Sequence, residues 1–346
     1  VGGVPLTSLL PKERIDAIAR LLNDLNIRIF STGGTYDFIK KFGIEVLPVE
    51  SVTSYPSILG GRVKTLHPKI FGGILYRRTR EQDEEEVKRY DIPPIDLVIV
   101  DLYPFEKTVE QTTDDDEIIE KIDIGGISLI RAAAKNFQDV LVVPSAAQFD
   151  ELIRLLQSKT GHTDLEDRKY FAAQAFNVSS HYDSKIFEYF NKEKKINVFK
   201  QSITSTNPLR YGENPHQQGL FYGKLEDVFE QLHGKAISYN NVVDIDAAIA
   251  LIKEFTEPTF VVIKHTNACG TASRSNLKDA WECALACDPI SAFGGVIIAN
   301  RRINLDTAIE LNRLFFEILI AGEYEDQALE LLKSKKNRIL LKMKDF

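Results

Sequence analysis

Cysteine is scarce in this chain: Cys269, Cys283 and Cys287 are the only three in 346 residues. An odd count in a long chain argues against a disulfide framework and for a reducing compartment, so a cytoplasmic location is expected. Cys283 and Cys287 stand four apart in DAWECALACDP and share a helix face, yet no second Cys/His pair at zinc spacing accompanies them. They read as buried structural thiols, with no metal site. No apolar run reaches the roughly 18 residues that span a bilayer, and no signal-peptide pattern opens the chain. Positive charge is not in excess either, since the formal net charge is −7, which disfavours indiscriminate nucleic-acid binding. Neither GxGxxG nor GxxxxGK[ST] occurs, so a dinucleotide fold or P-loop NTPase loses its usual support. Metal-dependent deamination lacks its H-x-E and P-C-x-x-C, and no G-x-S-x-G elbow is present.

The length predicts two or three domains on a prior of about 100–200 residues each. Short apolar runs alternate with amphipathic stretches through the first half. Ile27–Phe30, Ile44–Val49, Asp96–Tyr103 and Asp139–Val143 read as strands, while ERIDAIARLLNDL, TYDFIKKF and GISLIRAAAKNF have helical spacing. That alternation predicts an α/β fold with a mostly parallel sheet covered by helices, binding ligands at the carboxyl ends of its strands. A long helical run follows from Asp164 to Lys195, and a boundary falls near Val198 to Ser205. A second βα region then comprises KAISY, DIDAAIALIKEF, the strand TFVVI, a helix around Trp281, the apolar GGVIIAN, and LDTAIELNRLFFEILI.

Acidic residues cluster in REQDEEE (Arg80 to Glu86) and DDDE (Asp114 to Glu117), as suits helix starts. Positive charge gathers in short loops, Arg62, Lys64 and Lys69, then Arg77, Arg78 and Arg80, a pattern suited to a small phosphorylated ligand. Ser31, Thr32, Gly33, Gly34 and Thr35 lie between a strand and a helix, where exposed N–H groups, hydroxyls and the helix start suit a phosphate; a plain capped turn reads equally well. GGRVKTLHPKIFGGIL brings Arg62, Lys64, Thr65 and His67 between paired glycines, an Arg for bidentate phosphate contact and a Lys as a compact charge. DLYPF carries Tyr103 to the end of an apolar strand. KIDIGGISLIRAAAKN supplies Asp123, the Gly125-Gly126 turn at a helix start, and Lys135, which by itself reads as a surface lysine. In TFVVIKHTNACG, Lys264 and His265 end a buried strand; they read either as an anion-binding, proton-moving pair or as the ordinary point where a strand meets water. NPLRYGENPHQ and DPISAFGG are polar, turn-rich and undecided by composition.

STGGT, GGRVKTLHPKIFGGIL, DLYPF, DIGGISLIRAAAKN, LRYGENPHQ, IKHTNACG and DPISAFGG follow one another in this order, and together they closely resemble the bifunctional AICAR transformylase/IMP cyclohydrolase family of purine biosynthesis. The resemblance runs from about Ser8 to the end. It implies a methylglyoxal-synthase-like cyclohydrolase domain with a helical extension over 1–198, then the first part of a cytidine-deaminase-like transformylase domain over 199–346. Such an enzyme is both transferase and hydrolase: it moves a formyl group from 10-formyltetrahydrofolate to AICAR, then closes formyl-AICAR to IMP with loss of water. No metal or bound cofactor is implied; the folate is a co-substrate. Its partners would be small nucleotides, folate and a second copy of the chain in a homodimer, without nucleic acid or membrane.

By motif, Lys12, Thr32, Gly33, Gly34, Thr35, Arg62, Val63, Thr65, Ile124, Gly125 and Gly126 would hold the cyclohydrolase nucleotide. Lys64, Tyr103, Asp123 and Lys135 would surround the closing ring, with Lys135 moving the proton and Lys64 and Tyr103 stabilising charge on the formyl oxygen. Arg210, Tyr211, Gly294 and Glu317 would contact AICAR, His265 would be the general base of formyl transfer, and Lys264 would stabilise developing charge. The sequence departs from the family at TSLLPK, where Pro11 replaces an acid, and at Ala268, where proline is usual. The family also continues past the position of Phe346 into a second transformylase unit, so the transformylase half is expected to be incomplete in this chain. Methylglyoxal synthase and a non-catalytic nucleotide-binding module are the competing readings.

Overall fold

The computed structural model describes the backbone of residues 3–6 and 12–344, with side chains from Arg14 to Lys344. The chain divides into two compact units, Val1–Ser202 and Ile203–Phe346.

In the first unit, β1 (Gly3–Leu6), α1 (Lys12–Asp24), β2 (Arg28–Ser31), α2 (Gly33–Lys40), β3 (Leu47–Pro48), α3 (Glu50–Thr53), α4 (Pro68–Leu75), α5 (Glu81–Arg89) and β4 (Leu97–Ile99) come first. Then follow α6 (Phe105–Gln111), α7 (Asp115–Ile119), α8 (Gly125–Lys135), β5 (Leu141–Val143), α9 (Phe149–Ser158) and α10 (Leu165–Phe190). The sheet has the order β3-β2-β1-β4-β5, and every pairing is parallel. LVI of β4 and LVV of β5 are buried at every position, as strands covered on both faces must be. On one face, α1 turns Ile15, Ile18, Ala19 and Leu22 inward at i, i+3, i+4, i+7 and packs with Phe149, Leu152 and Leu156 of α9. On the other, Leu129, Ile130 and Ala133 of α8 meet Ile70 and Ile74 of α4 and Ala175 of α10. Asp164 caps α10 in a reciprocal box with Asp167.

The second unit opens with a hairpin of β6 (Thr206–Leu209) and β7 (Gly219–Tyr222). It continues through β8 (Phe229–His233), α11 (Tyr239–Ile252), β9 (Thr259–Lys264), β10 (Asn267–Ser273), α12 (Leu277–Cys287), β11 (Val296–Ala299), α13 (Leu305–Leu311), β12 (Ile318–Ala321), α14 (Asp326–Lys333) and β13 (Ile339–Met343). Its six-stranded sheet, β10-β9-β11-β12-β13-β8, is parallel at β11-β12-β13 and antiparallel elsewhere. Trp281 is 1% exposed and meets Phe260 edge to face, with ring centroids 5.5 Å apart. Among the described residues no helix is long and apolar enough to cross a membrane.

Several elements differ from the sequence expectation. β1 lies at the sheet centre although GVPL carries no strand signal. Ile44–Val49 and Asp96–Tyr103 shrink to Leu47–Pro48 and Leu97–Ile99. KAISY forms no strand, because the Ser238 hydroxyl accepts the Asn241 N–H and starts α11 at Tyr239. LDTAIELNRLFFEILI splits into α13 and β12. The cysteines are not fully buried: α12 turns Leu277, Ala280, Trp281 and Ala284 inward, which leaves Cys283 partly buried and Cys287 exposed off that face, while Cys269 on β10 is partly buried.

Candidate functional site

A cavity of about 580 Å³ in the first unit is lined by the Gly60–Leu66 loop, Tyr103, Ile119, Glu120 and the Ile122–Gly126 segment. Three of its walls come from loops beyond strand or helix ends, where backbone and side-chain donors are free to converge. The turn at Gly60 and Gly61 is left-handed, with φ of 65° and 89°, and leads into Arg62–Thr65. Thr65 is buried, and its hydroxyl lies 3.0 Å from where a β-carbon on Gly125 would stand. The Lys64 ammonium lies 3.7 Å from where one on Gly33 would stand, so Lys64 joins this cavity to the loop between β2 and α2. There Gly33 and Gly34 are exposed, while Thr32 and Thr35 are buried. Thr32 holds the N-cap position of α2, yet its buried hydroxyl has no hydrogen-bond partner among the described residues.

Asp123 closes the opposite wall. Its Oδ1 accepts the Gly126 N–H at 2.6 Å, and a β-carbon on Gly126 would stand 2.7 Å from its Oδ2. Burial raises the Asp123 carboxyl above its ordinary range, against hydrogen bonds from the backbone of Gly126, Tyr103 and Ile127 and the charge of Lys64. Its own N–H donates to the Tyr182 hydroxyl oxygen at 2.9 Å, and that hydroxyl donates to the Lys121 carbonyl at 2.6 Å. α8 begins at Gly125, so the positive end of its dipole faces the cavity. Arg62 is ion-paired with Glu120, both more than half exposed, a pair worth about 0–1 kcal/mol that an entering anion can displace.

In the second unit, Lys264 ends β9 and donates to the Phe293 carbonyl, its ammonium 3.9 Å from where a Gly294 β-carbon would stand. Gly294 has φ of 72° and donates to the Phe315 carbonyl at 2.8 Å. His265 and Thr266 form the two-residue turn from β9 into β10, with φ of 50° and 65°. Non-glycine residues held there cost about 1–3 kcal/mol each. Glu317 is ion-paired with Lys235 and accepts from Asn241 Nδ2 at 3.1 Å, while its N–H bonds the Gly295 carbonyl. Arg210 stacks on the Tyr211 ring 4.6 Å away, and the Tyr211 carbonyl accepts the N–H of Tyr239 at the start of α11. Tyr239, Asn241, Glu317 and Gly295 thus link the Arg210–Tyr211 pair to the Gly294–Lys264 corner.

Residues 14–128 match the MGS-like domain, and residues 133–346 match the family described as the AICARFT/IMPCHase bienzyme. The chain belongs to the AICARFT/IMPCHase bienzyme family. It is 54% identical over 340 residues to the bifunctional purine biosynthesis protein PurH of Bacteroides thetaiotaomicron, covering 98% of this chain and 67% of that protein. PurH of Thermoanaerobacter sp. is 43% identical over 349 residues, 98% of this chain and 68% of its own. PurH of Aquifex aeolicus is 43% identical over 342 residues, 96% of this chain and 67% of its own. The chain therefore spans about two thirds of the length of these relatives. A solved structure described as "Crystal structure of ForH" is 36% identical over 54% of this chain and 97% of its own, with a TM-score of 0.47.

Of the bienzyme-family positions carried over by motif, the structure gathers Arg62, Val63, Lys64, Thr65, Tyr103, Asp123, Ile124, Gly125 and Gly126 around one cavity. Lys135 is not brought to it. It ends α8, some 15 Å along the helix from Gly125 at about 1.5 Å per residue, and is exposed. The side chain of Lys12 lies outside the described residues. His67 caps α4, accepting the Lys69 N–H at Nδ1. The Arg77–Arg80 cluster is no phosphate loop: Arg77 grips Asp83 through two bonds of 2.7 and 2.8 Å and holds its carboxyl down to about 2, Arg78 pairs with Asp96, and Arg80 precedes α5. Sequence reasoning missed Glu120, Tyr182 and Asn241. Only Glu120 carried a usable signal, as an acid beside the KIDIGG motif.

Proposed function

We propose that the cavity of the first unit closes the purine ring of formyl-AICAR to give IMP, and that Lys264 and His265 of the second unit serve formyl transfer from 10-formyltetrahydrofolate to AICAR. The observation that carries the first reading is the convergence of Lys64, Tyr103 and Asp123 on one cavity that opens onto the start of α8. In the closing step the carboxamide nitrogen attacks the formyl carbon, its proton must leave, and the formyl oxygen gains negative charge before departing as water. Lys64 and Tyr103 supply the positive charge and the hydroxyl donor for that oxygen. Asp123, its carboxyl raised by burial, is the base for the amide proton in place of the distant Lys135. The nucleotide phosphate is held by the Thr32–Thr35 loop, where the Thr32 hydroxyl, without a partner among the described residues, offers a donor, and by Arg62 released from Glu120.

In the second unit the AICAR amine is a weak, conjugated nucleophile, so His265 removes its proton during attack while Lys264 stabilises charge on the formyl group. Arg210, Tyr211, Gly294 and Glu317 frame the nucleotide there, and a second copy of the chain completes the assembly. A methylglyoxal synthase reading accounts for residues 14–128 and leaves the match over 133–346 without a role. Incubating the chain with formyl-AICAR and following IMP absorbance tests the cyclisation. Turnover that is lost in Lys64→Ala and Asp123→Asn is expected; no turnover in the parent, with tight IMP binding, would replace the enzyme by a binding module.

A further inference from the structure

Among the described residues, His265 and Thr266 are the only two consecutive non-glycine residues with left-handed backbones. They form the whole loop of the β9–β10 hairpin, since Lys264 pairs with Asn267 across the antiparallel ladder. Positive φ at both loop positions defines a type I′ turn, which Asn-Gly would make without strain. Histidine followed by a β-branched threonine is a poor choice for folding the hairpin. The strained conformation persists because side chains fix it from outside and inside. Asp244 Oδ1, from α11, accepts the Thr266 N–H at 2.8 Å. Asn267 Nδ2 and the Thr266 hydroxyl both donate to the His265 carbonyl, at 2.8 and 2.6 Å.

We infer that Asp244 is a positioning residue for His265: by holding the Thr266 N–H with a charged acceptor, it locks the turn and thereby the direction in which the imidazole leaves the end of β9. It acts through the backbone of Thr266 and needs no contact with substrate. The inference rests on the reading of His265 as the base of formyl transfer. It extends that reading to a residue on a different element, 22 positions before Thr266 in the chain.

The test compares the full chain with Asp244→Ala, Asp244→Asn and the double variant Asp244→Ala/Thr266→Gly. The readouts are hydrogen exchange of the Thr266 amide, the NMR signals of the His265 imidazole, and kcat and KM for formylation of AICAR by 10-formyltetrahydrofolate. Asp244→Ala is expected to speed Thr266 exchange and lower kcat by about tenfold, the effect of losing one charge-assisted hydrogen bond, with KM for AICAR little changed. Asp244→Asn, which keeps an oxygen acceptor but loses the charge, should fall between the parent and Asp244→Ala. Thr266→Gly should restore kcat in the Asp244→Ala background, because glycine adopts this backbone without strain. Unchanged exchange and imidazole signals in Asp244→Ala, or no rescue by glycine, would overturn the inference. Should the parent show formyl transfer that His265→Ala does not lower, the assignment of the base falls instead; in that case, or where the chain alone shows no transfer, exchange and imidazole signals decide whether Asp244 holds the turn.

Discussion

Tyr182 and Asp123 are joined through the backbone: the Asp123 N–H donates to the tyrosine oxygen at 2.9 Å, and the tyrosine hydroxyl donates onward to the Lys121 carbonyl at 2.6 Å. Asp123 belongs to the segment matching the MGS-like domain, and Tyr182 to the α10 helix in the bienzyme match. One buried phenol on the helical extension therefore fixes both ends of the Lys121–Asp123 turn.

Tyr182→Phe keeps the edge-to-face packing on Phe105 but removes both bonds and leaves the Asp123 N–H without its acceptor. Urea unfolding should show a loss of about 1–3 kcal/mol. IMP formation should fall in kcat more than in KM, since the turn loosens while the phosphate loop is untouched. Burial pushes the Tyr182 hydroxyl up to about 12, so it remains a donor at neutral pH. The linked stability is complete below the ordinary value of 10.0 and declines as pH rises toward 12. That alkaline decline should be smaller in Tyr182→Phe.

Gly126→Ala places a methyl 2.7 Å from Asp123 Oδ2 and 2.9 Å from Val100 Cγ1. Val100 is a buried core residue, so the carboxylate gives way. A displacement of that size should lower the rate of IMP formation by about 100-fold, measured with saturating formyl-AICAR.

Asp123→Asn separates chemistry from stability. With the Asp123 carboxyl raised by burial, its ionised form is less favoured in the folded chain than in the unfolded one. The linked stability is full below the ordinary 3.8 and declines as pH rises through the folded-state value. Thermal unfolding should therefore show the parent losing stability relative to Asp123→Asn as the pH rises above 3.8. IMP formation should meanwhile drop by about 100-fold or more in the variant, as expected for loss of a general base.

Trp281 is the single tryptophan of the chain and lies buried against Phe260 in the second unit. Its emission should follow unfolding of that unit alone, while far-UV dichroism follows both. Non-coincident urea transitions by the two probes are the expected outcome. Trp281→Ala should cost the second unit about 3–5 kcal/mol and shift only the dichroism step assigned to it.

Much of the fold was legible because its strands and helices carry strong local patterns: the uniformly apolar LVI, LVV and FVVI, and the inward stripe of Ile15, Ile18, Ala19 and Leu22. GVPL was not legible, because β1 draws its order from parallel partners on both sides rather than from its own residues. The cavity residues were legible as ordered motifs, and most of them converge. Lys135 is the exception: its motif is contiguous with Asp123 and Gly125, but helix rise carries it to the far end of α8. Tyr182 and Asp244 could not be read at all. Their roles depend on backbone groups 59 and 22 residues away, brought close only by the packing of α10 and α11.

The place of β1 between β2 and β4 bears on the order in which the first unit can assemble during synthesis. Leu6 pairs with Ile99, so β1 finds its second neighbour only when residue 99 has been made. The closure entropy of so long a loop grows only as the logarithm of its length. Waiting time on the ribosome grows in proportion to it, at about 5–20 residues per second. Until then β1 and β2 stand as a two-stranded parallel edge open to pairing with other chains. Synonymous codon changes that slow translation before residue 99 should raise aggregation of the nascent chain, and those placed after it should not.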